Sequence, residues 1–452
     1  MIIDFGSSAL KVHLLSAEGA LISEGRVRPR CIVNEELPLA VQLDAKELED
    51  SLAAVCRSAA SAAAERGYRV VGVGVTTQRF NMVLLDREGR ALLVSPNVDS
   101  RGFMAPRLLR SDELEALYAV TGLHPPHLFT PMRLEQLREG DPGVASRAAR
   151  ILTLHDWLIY LLTGVYVTEP TMAGSTMLFD VRRGCWSGEL LEAFGVNPDQ
   201  LPEVVPTGSV AGYLTERAAR LIGAQTGTPV VACGGDSQAA LVALGALDPL
   251  RAGVAAGHTV PVLLVVGEPL VDREMRTWLQ PHARRGVYVV ESNAGPLGRL
   301  IEWFVEAFRL GGFEALDTLA LKSSPGSRGV RVRLYPSIMN ARMIGSQDVG
   351  GQVRLPPLVI PGFAPIGLED LARAVLEFVA FSVRANVEQA SEVAGKAAEW
   401  VGVAGGLTRL RTFREILPSV MQRSVAFAER YYASSLGCAA MVAAALGGDR
   451  SW

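Results

Sequence analysis

Short apolar runs that end in glycine-containing polar turns occur in both halves of this chain, and this feature constrains its fold most. The first run stops at Asp4-Phe5-Gly6-Ser7-Ser8, and a later one stops at Gly234-Gly235-Asp236. In the second half, turns at Gly257-His258-Thr259 and at Gly405-Gly406-Leu407-Thr408 also follow apolar runs. Strands that alternate with helices predict α/β layers. Because α/β proteins hold ligands at strand ends, these turns contain the candidate binding residues.

The alternation of strands and helices restarts near residue 247 of the 452-residue chain, which predicts two domains, 1–246 and 247–452. Apolar residues three or four apart predict helices over Asp44–Arg66, Leu297–Leu310 and Asp370–Ala394. After Gly406 we expect a helical tail that runs to Gly447. The Pro- and Gly-rich stretch Ser323–Pro365 predicts an inserted or domain-spanning segment.

Composition excludes several classes of protein. Hydrophobic residues make up 49% and charged residues 20%, so an extended disordered chain is excluded. The net charge of −3 gives no electrostatic reason to expect nucleic acid or an anionic membrane as partner. The five cysteines are scattered without a CxxC pair, which argues against a zinc or iron–sulfur site and fits reduced thiols. No uncharged stretch reaches the roughly 18 apolar residues of a membrane span, so we expect a soluble, cytoplasmic protein.

The first turn combines groups that suit a phosphate and a metal ion. Asp4 ends a buried strand, where its carboxylate is able to reach a magnesium shell through water. Gly6 lets backbone N–H groups approach a phosphate, while Ser7, Ser8 and Lys11 add donors and a positive charge. An ordinary hairpin turn, in which Asp and Ser bond their own backbone, is the alternative. Neither a P-loop nor a dinucleotide-binding glycine pattern occurs in the chain.

Other polar segments also have structural alternatives. Asp236 follows two glycines at the start of a helix, where a helix N-cap would account for it equally well. The turns at Gly257 and Gly405 could be simple flexible turns, with His258 as a hydrogen-bonded turn residue. The remaining segments are Gln78-Arg79, which could be a salt-bridged strand end; Asp99 with Arg101, which predicts an ion pair or a cap; and His155-Asp156-Trp157, which predicts helix packing with solvated polar groups.

The order of these segments resembles that of the FGGY family of carbohydrate kinases, within the actin-like ATPase superfamily. The most specific part is residues 154–215, which begin LHDWLIYLLTGVYVTEPTMAGST. The resemblance implies an α/β fold with two actin-like (ribonuclease H-like) domains and an interdomain cleft. It implies an N-terminal domain with the sugar site and the first phosphate motif, and a nucleotide-binding C-terminal domain. The implied reaction transfers the γ-phosphoryl group of ATP, with Mg²⁺, to a hydroxyl of a small sugar or polyol, in enzymes that are commonly homodimers.

The resemblance also implies roles for individual residues. Asp236 matches the catalytic base that faces the acceptor hydroxyl, and with Asp4 it would hold Mg²⁺ through water. The other matches are Asp4, Gly6, Ser7 and Ser8 with Lys11 in the first phosphate motif; Gly257, His258 and Thr259 in the second; Gly405, Gly406 and Thr408 near the adenosine; and Gln78, Arg79 and Asp99, with Asp236, at the sugar or polyol.

This chain departs from the family at the acceptor and phosphate ends. His258 stands in a threonine position, and Phe80 stands where glycerol kinases have Glu and xylulokinases have His. Asn97 replaces a Trp, and Ser237 replaces the Gln of glycerol kinases. These changes leave the acceptor open between a xylulose-like ketose and a glycerol-like polyol. They also leave two alternatives, a binding protein with weak or lost transfer and an actin-like filament protein, although a filament has no use for Gln78-Arg79.

Overall fold

The computed structural model describes residues 1–7, 9–37, 39–107, 109–333, 338–343 and 365–447, so Ser8 and much of the predicted segment Ser323–Pro365 lie outside the described residues. The strands are β1 (Ile2–Phe5), β2 (Leu10–Leu15), β3 (Leu21–Val27), β4 (Cys31–Val33), β5 (Val41–Leu43), β6 (Val73–Thr77), β7 (Met82–Leu85), β8 (Ala91–Ser95), β9 (Arg150–Leu152), β10 (Val167–Thr168), β11 (Phe179–Asp180), β12 (Cys185–Trp186), β13 (Glu203–Val204), β14 (Val210–Tyr213), β15 (Pro229–Gly235), β16 (Arg251–Ala255), β17 (Pro261–Val266), β18 (Trp278–Pro281), β19 (Tyr288–Asn293), β20 (Trp400–Ala404) and β21 (Ser424–Phe427). The helices are α1 (Ala45–Ala64), α2 (Ser111–Thr121), α3 (Thr130–Gly140), α4 (Pro142–Arg147), α5 (Leu154–Thr163), α6 (Pro170–Ala173), α7 (Gly188–Ala193), α8 (Glu216–Ile222), α9 (Asp236–Leu244), α10 (Leu297–Ala307), α11 (Phe313–Ala320), α12 (Leu368–Ala394), α13 (Arg411–Met421) and α14 (Ala433–Gly447).

The chain forms two compact units, and neither is a single continuous stretch. The first contains Met1–Ala243, Gln280–Val287 and Ser434–Trp452, so helix α14 belongs almost entirely to it. The second contains Leu244–Leu279 and Tyr288–Ala433. The domain boundary expected after residue 246 stays a prediction.

The main sheet of the first unit places three strand ends at one edge. Its strand order is β14-β15-β6-β1-β2-β3. The expected hairpin is confirmed, since β1 and β2 pair antiparallel. In the centre, β6 pairs parallel with β1 on one side and with β15 on the other, and Thr77 is level with both Phe5 and Gly235. The residues that follow these three strands therefore meet at one edge of the sheet.

Helix α1 shows how periodicity builds the core of the first unit. Its apolar positions at Leu48, Leu52 and Ala59 are buried, as their spacing predicts. Asp44 caps the helix by accepting a hydrogen bond from the Glu47 N–H at 2.8 Å. These side chains join a core that includes residues of β1, β2, β6 and α5. A smaller sheet of the same unit has the order β4-β5-β8-β7-β9.

The sheet of the second unit brings two further strand ends together. Its order is β18-β19-β17-β16-β20-β21. The expected strand pair is confirmed, because β16 and β17 are antiparallel neighbours. Strands β16 and β20 are parallel, with Ala255 level with Ala404, so the turns that follow them lie at the same edge. Although α12 has 27 residues, no helix in the described part of the chain is long and apolar enough to cross a bilayer.

The helical tail expected after Gly406 is wrong in one respect. Helix α13 ends at Met421, because Gln422 adopts the left-handed conformation with a φ of 52°. Strand β21 follows, and it extends the sheet by pairing in parallel with β20. Val425 and Phe427 suit an edge strand, but a strand of four residues is too short to show a clear alternating pattern.

Candidate active site

Three charged side chains surround one small space at the edge of the first sheet. A Cβ atom placed on Gly6 would lie 3.7 Å from Asp236 Oδ2, 3.8 Å from Lys11 Nζ and 3.9 Å from Asp4 Oδ1. Asp4 comes from β1, Lys11 from β2, and Asp236 follows β15. The fold therefore brings together four of the residues singled out in the sequence, although two of them are 232 positions apart (236 − 4).

The two oxygens of Asp4 differ in their surroundings. Oδ2 accepts hydrogen bonds from Ser434 Oγ at 2.6 Å and Ser435 Oγ at 3.3 Å, and Lys11 Nζ lies 3.7 Å away. Oδ1 is buried and has no hydrogen-bond partner. The hydrogen bonds of Asp4 thus go to the far end of the chain and not to its own turn, which disfavours the alternative of an ordinary hairpin turn.

Asp236 is the first residue of α9 and is partly exposed. Its Oδ1 accepts hydrogen bonds from the Ser237 N–H at 2.7 Å and the Ser237 hydroxyl at 3.2 Å. Burial, followed by the negative charge of Asp4, raises the pKa of Asp236 to about 6, while the positive charges of Arg79 and Lys11 oppose that rise. The hydrogen bonds that Oδ1 accepts are those expected of a helix cap. The other oxygen, Oδ2, faces Gly6 and takes no part in that cap. A carboxylate with such a pKa suits a general base near neutral pH.

The glycine turn before Asp236 is fixed by side chains on both sides. Gly234 has a φ of 73°, and a Cβ there would lie 2.4 Å from Thr171 Oγ1, so only glycine fits. Its N–H donates to His155 Nε2 at 3.2 Å, and its carbonyl accepts from Thr76 Oγ1 at 2.9 Å. The next N–H, of Gly235, donates to Thr171 Oγ1 at 2.9 Å. These contacts determine where Asp236 begins its helix.

His155-Asp156-Trp157 lies on a helix and Trp157 packs in the core, as predicted, but the expectation that the two polar side chains are solvated is wrong. His155 and Asp156 are buried, and His155 Nδ1 lies 3.0 Å from Asp156 Oδ1 while Nε2 receives the Gly234 N–H. Thr171 is held in turn by Glu169, whose Oε1 accepts its hydroxyl at 2.7 Å. Sequence reasoning missed these supports because an isolated motif does not show its distant partner. The one sequence signal for these residues was that they lie in the stretch 154–215, which carries the family resemblance.

The predicted acceptor residue Arg79 lies beside Gly235, the residue before Asp236, and Gln78 precedes Arg79 in the chain. Both are almost completely buried, and a Cβ on Gly235 would lie 2.9 Å from Arg79 Cδ and 2.6 Å from Gln238 Oε1. The side-chain oxygens of Gln78 and Gln238 are buried without a hydrogen-bond partner. Buried amide oxygens of this kind are suited to accept hydrogen bonds from hydroxyl groups.

Phe80 continues this strand end in an unusual backbone conformation. Its φ is 59°, which is rare for a bulky side chain and is characteristic of functional sites. The guanidinium of Arg79 lies 4.7 Å from the centre of the Phe80 ring, and the Phe129 ring packs edge-on at 5.4 Å. An aromatic surface beside Arg79 therefore replaces the polar side chain of related kinases.

Both carboxylate oxygens of Asp99 are engaged by other residues of the protein, so neither is available to bind the substrate that accepts the phosphoryl group. Its Oδ2 pairs with Arg101 Nε at 2.7 Å and accepts from Ser95 Oγ, and its Oδ1 accepts from the Val41 N–H at 3.1 Å. The side chain is completely buried. The predicted ion pair with Arg101 is therefore present, and we leave Asp99 out of the acceptor site proposed below.

The loop of residues 95–99, which contains Asp99, contacts the turn that contains Gly6 and Ser7. Asn97, which replaces a family Trp, donates from Nδ2 to Ser7 Oγ at 2.9 Å. Ser8 lies outside the described residues, so its predicted part in the first phosphate motif has no structural description. Asn97 thus ties the 95–99 loop to the turn that contains Gly6.

In the second unit, the predicted motif at Gly405 contacts Ala256, the residue that precedes the predicted motif at Gly257. Gly405 has a φ of 113°, and a Cβ there would lie 2.5 Å from the Ala256 carbonyl oxygen. The Leu407 N–H donates to that same carbonyl at 3.1 Å, while Thr408 Oγ1 donates to the Gly405 carbonyl at 2.8 Å. Gly406 has open space beside it, with no atom within 4 Å of a Cβ placed there. The turn after β20 thus packs directly on the end of β16.

His258 is held by helix α10. Its Nε2 lies 3.0 Å from Glu302 Oε1, and its carbonyl accepts the Gly298 N–H at 3.1 Å. A Cβ on Gly298 would lie 2.1 Å from the Gly257 carbonyl oxygen, so only a glycine allows this approach. The neighbouring Thr259 is exposed. The imidazole in the family's threonine position therefore has a carboxylate partner of its own.

Family models match most of this chain. The N-terminal domain model of the FGGY family of carbohydrate kinases matches residues 1–243, and the C-terminal domain model matches residues 358–446. YoaC of Bacillus subtilis, whose name assigns it to sugar kinases, is 26% identical over 443 residues, which cover 98% of this chain and 88% of that protein. The autoinducer-2 kinase of Escherichia coli K12 is 27% identical over 469 residues, covering 99% of this chain and 86% of that protein.

Solved structures of related enzymes share the fold. The xylulose kinase of Rhodospirillum rubrum has a TM-score of 0.83 at 23% identity, and the ADP-bound glycerol kinase of Plasmodium falciparum has 0.84 at 18%. Each comparison covers 100% of this chain and 90% of the other. The predicted α/β fold with two actin-like domains is confirmed. The chain belongs to the FGGY family of carbohydrate kinases, and it is an ATP-dependent enzyme that phosphorylates a hydroxyl group of a small sugar or polyol.

Proposed function

We propose that Asp236 is the general base of this kinase and that Asp4, Gly6 and Lys11 hold the phosphate end of ATP beside it. The observation that supports this most is the space at Gly6, which all three charged groups border within 3.9 Å of one point. Phosphoryl transfer depends mainly on positioning and on neutralising charge. A base, a cation and a glycine without a side chain at one place meet those needs.

Asp236 would accept the proton of the acceptor hydroxyl. Its pKa of about 6 leaves it ionised at neutral pH, yet basic enough to share a proton in the transition state. Gln78, Arg79 and Gln238 would orient the acceptor, with the unpartnered oxygens of Gln78 and Gln238 receiving its other hydroxyl groups. Lys11 would stabilise negative charge on the transferring phosphoryl oxygens.

The donor set at Gly6 fits Mg²⁺. Hard cations prefer oxygen ligands, and Mg²⁺ commonly keeps several waters and uses only one or two carboxylates together with substrate phosphates. Asp4 Oδ1 is a buried carboxylate oxygen without a partner, and Asp236 lies beside it. No larger group of His, Cys, Asp and Glu in the described residues is arranged to hold a metal ion. We therefore assign Mg²⁺ to Asp4 and, through water, Asp236, where it would neutralise charge on the phosphates.

The nucleotide is proposed to bind the turns of the second unit. Gly257, His258 and Thr259 would contact phosphate, and Gly405, Gly406 and Thr408 would border the adenosine. Support comes from the adjacency of the two turns and from the open space beside Gly406. We also propose a domain boundary after residue 246, a cytoplasmic location and a homodimer, which the sequence and its resemblance to the family support.

The acceptor class is a small ketose or polyol. Nothing in the geometry or the comparisons favours the alternative of a binding protein that has lost transfer. ADP release with magnesium–ATP and a panel of ketoses and polyols tests the proposal. We expect turnover with a subset of the panel and none without acceptor. Absence of ADP release with every acceptor would contradict the proposal.

A further inference from the structure

Helix α14 begins next to Asp4. Ser434 and Ser435 lie in the first turn of α14, and they are 430 and 431 positions away from Asp4. Both serines lie outside the glycine turns of the sequence. Both hydroxyl groups nevertheless contact the same carboxylate oxygen, Asp4 Oδ2.

Because of these contacts, the two oxygens of Asp4 have different surroundings. Oδ2 is occupied by Ser434 at 2.6 Å and Ser435 at 3.3 Å, whereas Oδ1 keeps no partner and borders the space at Gly6. A carboxylate rotates about one bond, so fixing one oxygen also fixes the direction of the other. Hydrogen bonds from hydroxyl groups to an ionised carboxylate are strong enough to do this.

Ser435 is itself held from the opposite side. His13 Nδ1 lies 2.7 Å from Ser435 Oγ, and His13 Nε2 lies 3.6 Å from Glu24 Oε2. His13 and Ser435 are both buried. The hydroxyl that touches Asp4 therefore sits in a row of polar side chains that extends from the Gly6 space to the exposed Glu24.

Helix α14 is also seated closely against the helix that starts with Asp236. A Cβ on Gly437 would lie 1.7 Å from the carbonyl oxygen of Ala239, so only glycine permits this approach. Ala239 belongs to α9, one turn after Asp236. The position of the two serines is thus set by contacts with an element of the same site.

We propose that Ser434 and Ser435 are positioning residues, which hold Asp4 Oδ2 so that Oδ1 stays directed at the magnesium–phosphate position. The inference rests on the proposed role of Asp4. It assigns a function in the kinase reaction to the first turn of α14, whose contacts would otherwise be explained by packing alone. Neither serine needs to touch substrate or metal.

Nucleotide binding with and without metal tests the inference directly. Calorimetry would measure the Kd of ADP in EDTA and in excess Mg²⁺ for the wild type, Ser434→Ala, Ser434→Thr and Ser435→Ala. We expect Ser434→Ala to weaken Mg²⁺-ADP binding about tenfold, since a hydrogen bond to a charged group is lost. Its metal-free Kd should stay within about twofold, and Ser434→Thr, which keeps the hydroxyl, should recover most of the loss.

A control and a second measurement separate positioning from folding. Ser382→Ala removes a hydroxyl that is as buried as that of Ser435 and that donates to its own helix, at the Phe378 carbonyl, so it should leave both Kd values unchanged. The double variant Ser434→Ala with Asp4→Asn should lose no more affinity for Mg²⁺-ADP than Asp4→Asn alone. Equal weakening of metal-free and Mg²⁺-ADP binding, or additive losses in the double variant, would overturn the inference. If the wild type itself gained no ADP affinity from Mg²⁺ and released no ADP from ATP, the proposed function would fail instead.

Discussion

Asp4 Oδ1 and Asp236 Oδ2 border the same point beside Gly6, at 3.9 and 3.7 Å from the position of a Cβ there. Burial raises the pKa of Asp236, and the nearby negative charge of Asp4 raises it further. Lys11 Nζ, 3.8 Å from the same point, offsets only part of that rise. The arrangement therefore attracts a further cation, which supports the proposed binding of Mg²⁺ at this position.

Asp236→Asn should abolish most of the turnover while leaving binding intact. Asn keeps the shape of the side chain but cannot accept the hydroxyl proton, and general-base assistance contributes about 10²- to 10⁴-fold. We expect kcat to fall at least about a hundredfold, with KM for acceptor and ATP within about threefold. A coupled ADP-release assay measures both, with the exposed Asp50→Asn on α1 as control. An unchanged kcat would remove Asp236 from its proposed role.

The same substitution should stabilise the ligand-free protein at neutral pH. The pKa of Asp236 is raised from 3.8 to about 6, so the folded state binds this proton more tightly than the unfolded state. That contribution to stability is fully present below pH 3.8 and is lost as the pH rises through 6. Because Asp236 is partly exposed, we expect Asp236→Asn to gain about 1 to 2 kcal/mol at pH 8.

Urea unfolding of both proteins between pH 4 and pH 8, without ligands, measures that difference. The free energy of unfolding should be nearly equal for the two near pH 4 and should diverge between pH 4 and 7. A difference that is the same at every pH would show that the ionisation of Asp236 carries no cost in the folded state.

Gly6→Ala should impair nucleotide use without unfolding the protein. The added methyl group would meet its neighbours at 3.7 to 3.9 Å, which is ordinary van der Waals contact, but it would fill the space that the charged groups border. We expect kcat/KM for ATP to fall at least about tenfold while the melting temperature changes little. Gly188→Ala is a matched control, because a Cβ there meets nothing within 4 Å. Full activity of Gly6→Ala would place the phosphates elsewhere.

Substitution of Phe80 should change which acceptor is preferred. Phe80→Glu replaces the ring beside the Arg79 guanidinium with a hydrogen-bond acceptor, as in glycerol kinases, and Phe80→Leu removes the ring without adding a polar group. We expect Phe80→Glu to shift the ratio of kcat/KM toward acceptors with an additional hydroxyl by about tenfold. Phe80→Leu should lower kcat/KM for all acceptors alike. If both variants affected every acceptor equally, Phe80 would have no part in specificity.

Local sequence patterns were sufficient for the helices and strands with a clear periodicity and for the glycine turns. The helix predicted over Asp44–Arg66 occurs at Ala45–Ala64, and the buried run before Gly234 forms β15, because helix periodicity and turn chemistry depend on residues near in sequence. The short edge strand Ser424–Phe427 carried no such pattern and was missed. The role of His155 was also misjudged, since its partner Gly234 is 79 positions away.

The amino-acid sequence by itself determined that this chain is an α/β protein with glycine turns after its strands, and that Asp4 and Asp236 are the acids in those turns. Only the tertiary structure decided that both acids and Lys11 border one space, and that Ser434 holds one oxygen of Asp4 from 430 positions away. The physical reason is strand order. The parallel pairing of β1, β6 and β15 decides which turns become neighbours, and that pairing depends on burial across the whole unit rather than on any local pattern.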